Sequence, residues 1–262
     1  MEHEIWFTAL LNKLLAGVVT PILVAAGDAP ANPAHPIPNY GAMEFLAFLL
    51  LVGGALILRG QLSVETPGKF QQMMEMVVQF LQNMASEIIE HGSNRYVPLL
   101  GSLGLFILIS NVLGLIPTLE TPTGAIQVTL GCAVATFLYY NYQGVRHHGV
   151  LGYLKTFWGP IWWLGPLLFF VEVSSNLFRL LSLSVRLYAN MFVGKLLEQV
   201  FAALAASMVA AELPVLRVFG QLVAITAPAA MMGLHLFVSF IQAYIFILLP
   251  AVYISLSVAD EH

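Results

Sequence analysis

Apolar residues run along this chain in long blocks rather than in alternation, and the polar residues between them form short clusters. Blocks of about 18 to 25 apolar residues are the length that crosses the hydrocarbon core of a bilayer as a helix. Gly41 to Leu58 is the first such block, closed by Arg59 and Gly60. Arg95 to Pro117 holds the second, with Asn111 inside it, and an Asn at that depth usually bonds a neighbouring helix. TPTG at 121–124 predicts a turn, and Ala125 to Tyr142 a third span whose end carries an aromatic belt of Tyr139, Tyr140 and Tyr142. Thr156 to Pro166 places Trp158, Trp162 and Trp163 at an interface. The last blocks, Leu167 to Ser207 and Arg217 to Val258, are each about 40 residues and exceed a 30 Å core at 1.5 Å per residue. Tilt or a kink is expected there, with Pro228 and Pro250 the natural places, and a loop near Glu212 to Pro214 between the two.

Three stretches depart from this pattern. Trp6 to Ala26 is apolar, but Glu2 and Glu4 precede it where a signal peptide wants Lys or Arg, so a retained interfacial segment is expected. The following GDAPANPAHPIPNYG carries Pro30, Pro33, Pro36 and Pro38 and predicts an extended surface loop, with His35 simply solvated. Pro67 to His91 sets Phe70, Met73, Met74, Val77, Val78, Phe80, Leu81, Met84, Ile88 and Ile89 at helical spacing among Gln, Glu and Asn. That is an amphipathic helix for the interface, its Met-rich stripe a packing face.

Composition sharpens the class. The 262 residues are 59% hydrophobic and 9% charged, with a mean hydropathy of +0.84, whereas about 25% of a soluble domain is charged. The fold class is therefore all-α: a polytopic membrane protein of about five transmembrane helices plus the interfacial helix, ending in a long tilted helix pair. Residues 1–262 are read as one integral membrane domain, with 1–40 an outer interfacial segment and loop and 41–262 the helical membrane core. A net charge of -4 and scattered basic residues give no tract for nucleic acid. Cys132 is the single cysteine and lies in an apolar run, which excludes a disulfide framework within the chain. His147 and His148 are adjacent and so fall on different helical faces, a poor start for a metal site. HExxH, GxSxG and Gly-rich phosphate loops are absent, so neither cofactor nor metal is expected, and nothing marks the chain as catalytic alone.

The basic residues set an orientation. If the first span runs outside to inside, Arg59, Lys69, Arg95, Arg146 and Lys155 fall on inner loops, and Lys13 and Arg217 outside. The excess inside supports that sense, with the N-terminus outside and the C-terminus inside.

Arg179, Arg186 and Lys195 remain within the membrane. Ionisable groups in a spanning helix are costly and face a protein interior or a wet cavity, so each is a functional candidate. At about 100° per residue, Arg179, Arg186 and Asn190 lie within about 40° of one face, and Glu172 joins them. Lys195 falls opposite Arg186, with Glu198 about 60° from it. In the last helix His235 and Gln242 share a face with Ser239 between them. Arg179 with Glu172, and Lys195 with Glu198, also admit a reading as simple ion pairs. Arg186 does not: it cannot shed its proton and this helix offers no counter-charge nearby, which points to a partner on another chain. The residues alone leave open a stand-alone ion channel or secondary transporter in which Arg186 binds an anion, or a structural scaffold.

The stretch SLSVRLYANMFVGKLL resembles the S-L-x-x-R-L-x-x-N-M hallmark of the subunit a family of F-type ATP synthases. ILISNVLGLIP at 107–117, TPTGAIQVTLGCAVA at 121–135 and LHLFVSFIQAYIFILLPAVYISLSVADEH at 234–262 are similar to that family's motifs, in its order. The resemblance runs from about residue 40 to the end and implies the stator half of the F0 proton channel in a bacterial inner membrane. The partners it implies are a c-subunit proteolipid ring, a b-subunit peripheral stalk and the rest of the F1F0 ATP synthase. By position it makes Arg186 the essential arginine, Asn190 its neighbour and Gln242 a residue facing it. His235 would belong to the outer half-channel and Glu172 to the inner one. The pattern departs at Lys195, nine residues after the arginine, where the family often carries Glu or His. A fixed cation does not relay protons as a carboxylate does, and Glu198, one turn on, is the candidate replacement.

Overall fold

The computed structural model describes residues 4–25, 27, 30, 32–89, 92–116, 118–158, 162–210 and 213–259. Ala26, His91, Pro117 and Glu212, each placed at an element boundary from the sequence, lie outside the described residues. Among those described there are seven α-helices and no strand: α1 Trp6–Ala25, α2 Asn39–Gly60, α3 Lys69–Ile88, α4 Val97–Leu113, α5 Ile126–Thr156, α6 Gly165–Val209 and α7 Pro214–Val258. α1, α2, α6 and α7 are long and apolar enough to cross a membrane.

Contacts divide the chain into two compact units, the first made of Met1–Val52, Leu108–Val128 and Tyr188–Phe240, the second of Gly53–Ile107, Thr129–Leu187 and Ile241–His262. In the first unit Leu11 of α1 packs with Ala42 and Met43 of α2, joined by Ile37 and Leu119. The proline-rich loop is clasped to this core rather than merely solvated. The Asn12 amide donates to Glu4 Oε1 at 2.8 Å and to the Ile37 carbonyl at 3.2 Å, while the Ile37 N–H donates to Asn12 Oδ1 at 2.9 Å. Pro36 and Pro38 have no N–H to give, so Ile37 is the residue there whose backbone can pair twice with a carboxamide. His35 Nδ1 meets Glu4 at 2.9 Å. The hydrogen bond from Asn12, then the one from His35, hold the Glu4 carboxyl below its usual range.

The second unit has two packed clusters. Leu81, Met84, Ala85 and Ile89 of the amphipathic segment meet Tyr96 just before α4, Leu100 of α4, Tyr140 of α5 and Ala251 and Ile254 of α7. The stripe expected to pack therefore divides: Leu81, Met84 and Ile89 are buried, while Phe70, Met73, Val78 and Phe80 stay exposed. In the other cluster Ile107 of α4 meets Cys132 and Ala133 of α5, Leu183 and Leu187 of α6, and Phe246 of α7. α4 approaches α7 closely at Gly104, where a Cβ would stand 2.4 Å from Ile247, a use of small residues common between membrane helices.

α4 is shorter than the sequence block that predicts it. Gly114, Leu115 and Ile116 donate to carbonyls three residues back, which tightens and ends the helix just before a proline. α5 is longer, because nothing in Gln143–His148 stops it, and it breaks at Gly149 with φ 73° and ψ 165°, a region essentially restricted to glycine. Beyond the break the chain folds back on itself. A Cβ on Gly144 would stand 2.4 Å from the Tyr153 ring. α6 and α7 each run 45 residues, α7 without interruption through Pro228 and Pro250. Each proline removes one bond from a long ladder, a loss that apolar spanning helices tolerate.

Candidate functional site

In the second unit, the buried Leu183 and Leu187 fix the inner face of α6, and Ser184 on that face approaches the Thr129 hydroxyl at 3.2 Å. Arg186 sits at the edge of this face, half-buried. Its guanidinium donates to Ser182 Oγ at 3.4 Å, and among the described residues no carboxylate pairs with it. On α7, Gln242 is buried and its Oε1 has no partner among the described residues. Leaving a buried polar atom unmet costs about 1 to 3 kcal/mol.

Earlier on α6, Arg179 lies 3.9 Å from Glu172 and 5.4 Å above the Tyr253 ring. Both line a cavity of about 360 Å³ with Tyr140, His148, Tyr153 and Asn176. Asn176, which the sequence reading missed, is the hub of the wall. Tyr140 donates to its Oδ1, while its amide donates to Asn141 at 3.2 Å, and Tyr153 donates to the same Asn141 oxygen at 2.9 Å. Glu172, Asn176 and Arg179 follow one another at i, i+4 and i+7, so the polar stripe already contained it.

The first unit holds Asn190, Lys195, Glu198 and His235. Asn190, Gly194 and Glu198 of α6 face Pro228, Met232 and His235 of α7 across a cavity of about 450 Å³. The His235 Nε2 is buried without a partner among the described residues. Glu198, Lys195 and the Asn111 backbone are the polar groups that act on its ring, and Ser239 on the next turn donates to its carbonyl at 2.7 Å. Lys195 is not part of the cavity lining. Its ammonium lies against the 121–124 turn, 3.3 Å from where a Cβ on Gly124 would be, and it makes no ion pair with Glu198. The turn is held from beneath: Thr121 donates to the Ser110 carbonyl at 2.9 Å, and Thr123 donates to Asn111 Oδ1. The Asn111 side-chain oxygen thus bonds a turn, while its backbone faces His235 of α7. The TPTG sequence signals a turn, but not that its hydroxyls face inward. His147 and His148 contact each other edge-on at 4.8 Å, and no cluster of metal-ligating side chains occurs among the described residues.

The profile of the ATP synthase A chain family matches residues 42–255. A protein of Koribacter versatilis (strain Ellin345) described as ATP synthase subunit a is 44% identical over 262 residues, covering all of both chains. Proteins of the same description from Solibacter usitatus (strain Ellin6076) and Trichlorobacter lovleyi are 39% and 40% identical, over 97% and 100% of this chain and all of theirs.

Proposed function

Because the chain belongs to the ATP synthase A chain family, we propose that it is the F0 stator subunit that guides protons past a rotating ring of c subunits. In this reading it is one integral membrane domain of a bacterial inner membrane, its N-terminus outside and its C-terminus in the cytoplasm. The cavity with Glu198 and His235 is the outer half-channel, and the cavity with Glu172 is the inner one. The observation that carries the reading is Arg186, a cation in a spanning helix with no counter-charge among the described residues. A supporting one is exposure: Phe170, Leu177, Leu181 and Val185 of α6 stay uncovered along one side of the helix, a face open to lipid and a ring.

The chemistry follows from where the charges are. A bare carboxylate at the bilayer centre costs at least ~2.5 to 3.5 kcal/mol, so a ring carboxyl crosses lipid protonated. Beside Arg186 the preference reverses, because an opposite charge within reach lowers a carboxyl's pKa by about 1 to 3 units. The ring carboxyl therefore releases its proton to one cavity and reloads from the other. Arg186 keeps its own proton, which blocks a direct leak, while the unpartnered Gln242 oxygen of the same unit offers a neutral acceptor. Each charge moved through 100 mV supplies about 2.3 kcal/mol to bias rotation. In the outer cavity Glu198 and His235 exchange the proton, and Lys195 stays on the turn as a fixed charge. A b-subunit stalk holds the stator against the ring.

The test is Arg186→Ala in membrane vesicles. Coupled ATP synthesis disappears while the assembled complex still co-purifies with its proteolipid ring. Normal synthesis by that variant would overturn the reading.

A further inference from the structure

We propose that His148 is a proton-exchanging residue of the inner cavity, working in series with Glu172. This rests on the reading of that cavity as the inner half-channel. His148 is half-buried and lines the same cavity of about 360 Å³ as Glu172 and Arg179. It is the last residue before the break at Gly149, and the turn beyond the break packs onto it: a Cβ on Gly152 would stand 3.2 Å from the His148 Cβ. The break thus puts the imidazole and Tyr153, from opposite sides of Gly149, on one wall.

The other groups facing the cavity narrow the chemistry. Arg179 of α6 is engaged by Glu172 and by the Tyr253 ring of α7, and an arginine does not give up its proton. Tyr140 and Tyr153 spend their hydroxyl protons on Asn176 and Asn141. His147 lies edge-on against His148 outside the lining. Among the described lining residues a carboxylate and an imidazole remain beside the Tyr253 phenol, and imidazole is the side chain that takes and returns a proton between about pH 5 and 8. The volume holds on the order of ten waters at about 30 Å³ each, so the two exchange through water without touching. In the loading direction the imidazole nitrogen takes a proton from a buffer acid of the inner phase, leaving its conjugate base. The imidazolium then passes a proton through water to the Glu172 carboxylate; the release direction reverses both transfers. At pH 7 free hydronium meets one site only about a thousand times per second at the diffusion limit, so a group loaded by buffer raises the supply.

The experiment uses the whole synthase in membranes stripped of its soluble sector, with passive proton flow read by a pH-sensitive dye. H148Q is expected to slow flow by about tenfold, and imidazole added on the inner side to restore it. H147Q is expected to conduct as the parent does. H148N serves if the glutamine variant does not assemble. Unchanged flow in H148Q, slowed flow that imidazole does not restore, or equal slowing in H147Q would each overturn the proposal. E172Q separates the two claims: if it conducts normally, the cavity is not on the proton path and the underlying reading falls. If E172Q is slow and H148Q is not, only the histidine's part falls.

Discussion

The Tyr153 hydroxyl donates to Asn141 at 2.9 Å across a helix that turns at Gly149, so residues twelve apart on one helix share a hydrogen bond. The contact exists only because Gly149 holds a backbone region closed to other residues and Gly144 leaves room for the ring. Gly149→Ala is expected to destabilise the protein by about 1 to 3 kcal/mol. Gly144→Ala is expected to lower stability too, since the tyrosine ring must move off its acceptor. Thermal unfolding of the solubilised complex reads both, and wild-type stability in both variants would contradict the account of the bend.

The two charged residues at the far end of α6 are expected to separate in function. Glu198 lines the cavity with His235, whereas Lys195 lies on the turn. Glu198→Gln therefore slows proton uptake more than Lys195→Gln does in a dye-quench assay. The reverse order would remove Glu198 from the path.

Thr123 is buried and donates to Asn111. Thr123→Val keeps the shape and removes the donor, leaving the Asn111 oxygen unmet at a cost of about 1 to 3 kcal/mol. Thr123→Ser keeps the bond and is expected to restore most of that. Protease nicking in the 118–125 segment distinguishes them, rising in the valine variant and not in the serine one.

The clasp of Glu4, Asn12 and His35 gives a pH dependence with a definite sign. Its carboxyl is held below the ordinary value of 4.5, so the contribution is fully present above that pH and is lost as pH falls through the lowered folded value. A cysteine placed at Ala34 should label faster only in that acid range. Asn12→Ala should make labelling fast at every pH, and a pH-independent wild type would refute the clasp.

Helix existence was legible in the sequence because apolar blocks of bilayer length have few alternatives in lipid. Boundaries were less so. The end of α5 depended on a single glycine, and nothing in its flanks distinguishes Gly149 from Gly144, one turning the chain and the other admitting a ring. For the site, Glu172, Arg186 and His235 stood out because charge or imidazole in an apolar helix is conspicuous. Asn176 and Asn141 did not, since a neutral amide among apolar residues looks the same whether it is packed, solvated or a hub. The placement of Lys195 away from the cavity came from the fold of a turn some 70 residues earlier in the chain. No local pattern carries that information.

A single backbone angle at Gly149 sets how far the last turns of α5 close over the cavity of Glu172. That wall is covalent and internal to one polypeptide. The place of that wall follows from a backbone region that glycine alone holds, within one short stretch of chain.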